Sequence, residues 1–378
     1  MNGNEVVGKY ATAKVFSNDI DEYCKAQVKL ICDQKCMEGN EVVMMPDCHP
    51  GKMGPVGLTI KINNGIIIPK LLGTDLGCGV TAVKTKSKNI EFQKLDKVIR
   101  ENIPSGAAKR TKPLDTNLPD ELLYNNRATL DEDAVLRSLG TLGGGNHFIE
   151  IDKGEDGYLW IVVHSGSRSY GRFVYEYYNK LAERNCEEDT YFKYLTGQDV
   201  IDYVLDAALA NNFAYCNRLK IIDIISKEMK MKEVESIGKM HNAIETITTF
   251  SKESKKIKDT YIIRKGAIGS RGDSVIIPIN MRDGVIIGTG KSNEEWNYSA
   301  PHGSGRVASR EQVLNSHTVS EYKKEMKGIY SSVICKETLD EAPFAYRNLD
   351  SIKSQIGDTV EIKEILKPVY NFKAKGEY

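Results

Sequence analysis

The 378-residue sequence has no surplus of charge: 52 Lys and Arg stand against 52 Asp and Glu, for a net charge of zero. That absence excludes a polybasic nucleic-acid coat, whose affinity comes from releasing counterions along many phosphates, and it excludes an acidic tail protein. Long apolar runs are also missing, and none approaches the roughly 20 residues that span a bilayer. The opening MNGNEVVGKY lacks the basic segment, apolar stretch and small-residue cleavage site of a secretory signal, so a cytoplasmic protein is expected. There is no internal repeat, low-complexity tract or Pro/Ser-rich linker to divide the chain into independent pieces. No CxxC pair occurs among the eight cysteines, which are scattered too widely for a disulfide frame. Cys32 and Cys36 lie four apart in an expected helix, but no second ligand pair follows, which disfavours a structural zinc there.

What is present is a 40% hydrophobic chain in which strand and helix patterns alternate irregularly. The expectation is an α+β (mixed α/β) fold: one compact domain over 1–378, with a helical excursion at about 170–232. Helices are expected from Asp21 to about Cys36, Phe92 to Asn102, Tyr170 to Arg184 and Gln198 to Lys227. Strands are expected at Glu41–Met45, Tyr158–Val163, Thr260–Ile263, Ser274–Ile277 and Gly284–Ile287, with strand-like runs at Gly57–Ile60 and Gly65–Ile68.

Histidine is scarce, six in all, and five lie in Gly- or Asn-containing turns: PDCHPG (His49), GGGNHF (His147), HSGSR (His164), MHNA (His241) and PHGSG (His302). One such histidine is most simply a satisfied core residue, but five in loops point to ligands or catalytic groups. Cys78 sits in the glycine-flanked Gly73–Gly79 loop with Asp75, so Asp, Cys and His together suggest a metal site assembled from distant segments. Ligand softness alone favours zinc for such a set.

Two glycine loops imitate phosphate-binding motifs. Gly284–Ser292 resembles a P-loop, but its first glycine falls one residue too early to wrap phosphates with successive N–H groups. Gly303–Ala308 fits GxGxxA, yet no strand is expected at Tyr298–Pro301 before it, which disfavours a Rossmann fingerprint. Seven basic residues cluster in three segments without an acidic residue: Arg168 and Arg172; Arg264, Lys265 and Arg271; Arg306 and Arg310. Guanidinium forks beside Gly and Ser suit phosphate. The residues alone therefore point to a metal-dependent enzyme acting on phosphates.

The ordered set MPDCHPGKMGPVG, GTDLGCGV, GGGNHF, VVHSGSRSYGR, KMHNA, RKGAIGSRGD, PHGSGRVASR, DEAPFAYRNLD and LKPVYNFKAKG resembles the RtcB family of RNA-splicing and RNA-repair ligases, in a divergent bacterial-type branch. The resemblance implies GTP- and Mn²⁺-dependent joining of RNA 3′-phosphate or 2′,3′-cyclic phosphate ends to 5′-hydroxyl ends. It implies that Asp75, Cys78 and His147 hold one manganese, that Cys78, His164 and His241 hold a second, and that the thiolate bridges the two, with zinc as an inhibitory occupant. It makes His302 the nucleophile that becomes guanylylated. It places Asn146, His241, Asn242, Pro278, Asn280, Met281, Gly303, Ser304, Gly305 and Lys375 about the guanine nucleotide, and Arg168 and Arg306 at the phosphates. Asp47 and His49 are expected to support substrate or ligands. The implied partners are RNA ends and GTP, with no membrane, a monomer favoured, and an activating protein allowed for.

The chain departs from the family in Pro278-Ile279-Asn280-Met281, where the family carries Pro-Gly-Ser-Met, and at Val285, where a serine is expected. These changes bear on nucleotide selectivity. They leave two rival readings: an end-processing hydrolase that opens cyclic phosphates without ligation, and a non-catalytic RNA-binding protein. Neutrality predicts that the chain grips RNA at its termini, with few phosphate contacts and a modest salt dependence.

Overall fold

Asp21 starts the first helix by accepting hydrogen bonds from the backbone N–H of Tyr23 and Cys24, which leaves Glu22–Cys32 helical. That helix ends four residues earlier than expected. Cys36 falls in a separate 3-10 turn, Lys35–Met37, so Cys32 and Cys36 do not share one helical face. The computed structural model describes residues 4–114, 118, 120–124, 126–188, 190–251 and 256–374. Helices and strands are mixed in chain order, as the α+β expectation requires.

Two large sheets carry the architecture. The six-stranded sheet runs Asn4–Val7, Thr12–Val15, Glu41–His49, Val56–Ile62, Lys256–Lys265, Asn242–Ser251, with a single parallel pairing between the second and third. The seven-stranded sheet runs Ser274–Asn280, Gly284–Gly290, Val360–Lys373, Phe148–Lys153, Leu159–Ser165, Gly79–Thr85, Glu233–Met240. The long strand Val360–Lys373 joins two parts of it. Its first half pairs with Gly284–Gly290 and its second half with Phe148–Lys153. Leu159–Ser165 is buried at every position, as a strand covered on both faces must be, and so reads as a continuous apolar run ending in His164.

The helical stretch at 170–232 does not stand off from the sheets. Helices Ser169–Asn185 and Gln198–Met229 bury Val174, Tyr178, Tyr203, Ala210 and Phe213 in the same core as Leu58 and Ile60. Gly65–Ile68 is not a strand either. Ile67 makes only an isolated bridge to Leu195, and Pro69, with its preset φ, starts the short helix Pro69–Leu72. Conversely, Ser299–Pro301 is a short strand paired with Ala267–Gly269, against expectation. A Rossmann unit is still excluded, because the next helix begins only at Arg310. The P-loop imitation lies within the strand Gly284–Gly290 and has no helix to open. Among the described residues, no helix is long and apolar enough to cross a membrane.

Candidate active site

Three strand ends and two loops bring four of the five histidine turns around Cys78. Gly79–Thr85 pairs with both Leu159–Ser165 and Glu233–Met240, so Cys78, His164 and His241 meet at one end of adjacent strands. Cys78 Sγ lies 3.3 Å from His147 Nε2 and 3.2 Å from His164 Nε2, and His164 Nε2 lies 3.3 Å from His241 Nε2. His147 Nδ1 is 2.8 Å from Leu142 O, and His164 Nδ1 is 3.2 Å from Asn146 O. A carbonyl can only accept, so each of those nitrogens carries the proton and turns an Nε2 lone pair toward the thiol. Burial, assisted for His147 by the Arg168 charge, holds that imidazole down at about 3, and burial with neighbouring histidines keeps His164 and His241 well below the usual range. All three rings are therefore neutral donors at physiological pH.

This donor set fits a cation. Cys78, His147 and His164 each offer one ligand atom within 4.8 Å of the others. Burial, and then the Asp75 carboxylate, push the Cys78 thiol well above its ordinary range, so a bound cation is what holds it as a thiolate. Asp75 lines the same cleft but stands outside the mutual set of three. Its Oδ2 accepts from Asn242 Nδ2 at 2.8 Å, and Lys265 faces it. No comparable group forms at Cys32 and Cys36 among the described residues.

His302 faces the cluster from the opposite wall, its ring centroid 4.8 Å from that of His241. Its Nδ1 lies 2.7 Å from Asp47 Oδ2, off the N–H direction, in a close ion-pair contact. The same oxygen accepts from the backbone N–H of His302 and of Gly303, each at 3.1 Å. Asp47 thus fixes both the loop and the ring, and leaves Nε2 as the nitrogen available for bond formation. His49 also lines the cleft, with Nδ1 3.1 Å from Asp47 O, and burial brings it down to about 4.

The expected nucleotide residues line this cleft: Asn146, His241, Asn242, Pro278, Asn280, Met281, His302, Gly303, Ser304 and Gly305. Several have their side chains engaged in the protein itself. Asn242 bridges Asp75 and the Gly266 N–H, and Ser304 Oγ donates to Ile279 O at 2.7 Å. Asn280 closes its own turn, accepting from the N–H of Arg282 and Asp283. Ile279 and Met281 send their side chains into apolar clusters, and Val285 is buried on its strand. The departures from the family therefore rebuild the hairpin behind the cleft. Lys375 lies outside the described residues.

Arg306 lines the cleft while bonded to Asp340 O at 2.8 Å and Tyr346 OH at 3.2 Å, with Glu341 Oε1 at 3.4 Å. Arg168 donates to Thr141 Oγ1 and Gly106 O, and its charge reaches Asp75, Cys78 and His147. It sits at φ 54, a strained value for a residue with a side chain. The three acid-free segments are not acid-free in space. Glu245 pairs with Arg264 and Arg271, while Asp340 and Glu341 take Arg310, and Arg172 lies near Glu176.

Several functional residues escape sequence reasoning. Glu150, Lys265, Tyr346 and Lys373 line the cleft, and buried Glu341 gathers Arg306, Arg310, Lys373 and the Tyr346 hydroxyl. Those cations outweigh burial and bring Glu341 down to about 2. Asn217 and Arg218, both fully buried, hold the ligand loops from the long helix. Arg218 donates to Gly77 O, Ser165 O and Thr81 Oγ1, and Asn217 bonds the Gly140–Thr141 backbone, Ser165 Oγ and Gly166 O. The available signal is an Asn-Arg pair on the apolar stripe of a helix, where polar side chains need partners.

Fold and cleft together define an enzyme class: a mixed α+β protein with a carboxylate-held histidine facing a thiol–imidazole cluster. A family model described as tRNA-splicing ligase RtcB matches residues 31–134 and 124–374. The chain belongs to the RtcB family of RNA ligases. It is 29% identical to the RNA-splicing ligase RtcB of Escherichia coli, over 98% of this chain and 99% of that one. It is 26% identical to the tRNA-splicing ligase RtcB of Aeropyrum pernix, over 88% and 87%. A further relative is the tRNA-splicing ligase RtcB of Archaeoglobus fulgidus, 28% identical over 87% and 86%.

Proposed function

We propose that this RNA ligase is GTP- and Mn²⁺-dependent, that it joins RNA 3′-phosphate or 2′,3′-cyclic phosphate ends to 5′-hydroxyl ends in the cytoplasm as a monomer, and that His302 is its nucleophile. The observation that carries the reading is His302, aimed by Asp47 and set against Cys78, His164 and His241 in one cleft. The eight free thiols suit a reducing compartment.

His302 Nε2 attacks the α-phosphorus of GTP; a P–N bond forms, the α–β P–O bond breaks, and pyrophosphate leaves. Asp47 offsets the positive charge that develops on the ring. The guanylyl group passes from His302 to the RNA 3′-phosphate, which regenerates the imidazole. The 5′-hydroxyl oxygen then displaces GMP, losing its proton as the new phosphodiester forms. Cys78, His147, His164 and His241, with Asp75 beside them, would hold manganese, which supplies charge neutralisation at the phosphoryl oxygens when bound. Arg306, oriented by Glu341 and Tyr346, adds a fixed guanidinium on the same wall. Glu150 offers a carboxylate acceptor suited to the adjacent N1–H and N2–H donors of guanine.

The test is incubation with GTP labelled at the α-phosphate and Mn²⁺. Acid-labile, base-stable label on the protein is expected and should vanish in His302→Ala. Label that persists in the variant overturns the nucleophile. Cyclic-phosphate opening without any label makes the protein a hydrolase instead.

A further inference from the structure

Glu150 and Asp152 lie two apart on Phe148–Lys153, which places them on one face of the strand. Glu150 is 3% and Asp152 0% exposed. Among the described residues, Glu150 Oε1 and both Asp152 oxygens are buried with no hydrogen-bond donor, while Glu150 Oε2 accepts from Asn371 Nδ2. Two carboxylates cannot both stay ionised in such a place, and one proton shared between them supplies the missing donor.

The surroundings decide which carboxyl keeps that proton. From the flanking strands, Val162 and Asn371 stand opposite Glu150, and Trp160 and Pro368 stand opposite Asp152. The apolar face over them holds Ile237, Ile276, Val285, Ile287 and Leu366. The one cation acting on the pair is Lys373, whose charge reaches Glu150; Asp152 feels only burial and Glu150. Burial, partly offset by Asp152, Lys373 and Asn371, brings Glu150 up to about 7, and Asp152 is pushed up further.

We propose that Asp152 is a positioning residue: it keeps its proton and donates it in a hydrogen bond to Glu150, holding Glu150 as a fixed anionic acceptor for the base of the bound nucleotide. The proposal rests on the guanine-nucleotide reading of the cleft and deepens it into a source of base selectivity. A base with two adjacent N–H donors is accepted. Adenine presents a lone pair at N1 to the same carboxylate and is rejected.

Two measurements on the intact protein separate the proposal from the reading beneath it. The first is infrared spectroscopy at about pH 8, where Glu150 is ionised: wild type should show a buried protonated-carboxyl band that Asp152→Asn removes. The second is equilibrium binding of guanosine, free of phosphate titration, across pH. Asp152→Asn, whose amide still donates, should bind within about twofold of wild type, and both should weaken as pH falls through the Glu150 transition. Asp152→Leu, which cannot donate, should bind about tenfold more weakly at neutral pH, with its transition moved to higher pH. A missing band in wild type, or Asp152→Asn as weak as Asp152→Leu, overturns the proposal. A band lost as expected with no guanosine binding in any variant overturns the nucleotide reading, and with it the selectivity role.

Discussion

Asp47 and His302 are 255 residues apart in sequence, yet one carboxylate oxygen takes two backbone N–H groups and the ring of the same loop. An Asp47→Asn change keeps an oxygen for the N–H groups but loses the anion beside Nδ1. Histidine guanylylation should fall by roughly a hundredfold or more with little loss of thermal stability. A labelled-GTP time course with a melting curve checks both halves. Cys78→Ser removes the atom shared by His147 and His164. Metal content after dialysis should fall at both sites; loss of only one ion contradicts a bridging thiolate. The histidines and Cys78 are legible in sequence because His and Cys are few and sit in glycine turns. Glu150, Glu341 and Arg218 are not, since a charged residue becomes informative only once its burial is known.

Elements differ in legibility for a similar reason. Helix Phe92–Asn102 is readable to both ends, because its apolar residues recur at helical spacing and Leu95, Val98 and Ile99 are the ones buried. Strand Val360–Lys373 is hidden, since it changes partners midway and alternates only in part. The nucleophile loop depends on Gly305, at φ +74, where an added Cβ would lie 2.3 Å from Asp47 O. Gly305→Ala should therefore push the loop off Asp47 and abolish labelling while the melting temperature drops by only a few degrees, about 1–3 kcal/mol. Gly284, at φ +83, meets Leu366 O at 2.0 Å instead. Gly284→Ala should lower the melting temperature more than Gly305→Ala does.

Across the whole molecule, acid is the expected weakness. His49 and His147 are held to about 4 and about 3, below the free value near 6.5, so the unfolded chain binds more protons between those limits. Their contribution is fully present above about pH 6.5 and is lost as pH falls through the folded values; for His49 it is at most about 3 kcal/mol. Glu341, held to about 2, acts in the same direction at lower pH, whereas Glu150, raised to about 7, loses its contribution as pH rises through neutrality. Melting of metal-stripped protein should therefore drop steeply from about pH 6 to about pH 4, and His49→Asn should flatten that slope. The neutral surface bears on substrate in a related way. Because Glu245, Asp340, Glu341 and Glu176 face the basic segments, RNA affinity should show a shallow salt dependence, about 0.7 in log–log slope per phosphate contact.

The strand that ties the Gly284–Gly290 hairpin to Phe148–Lys153 is also the last of the described elements to be made on a ribosome. A nascent chain stopped before residue 360 has both wings of that sheet without the strand between them, and lacks the Lys373 that meets Glu341. The cleft therefore closes only once translation has passed its final strand, and a stalled fragment cannot act on the RNA ends around it.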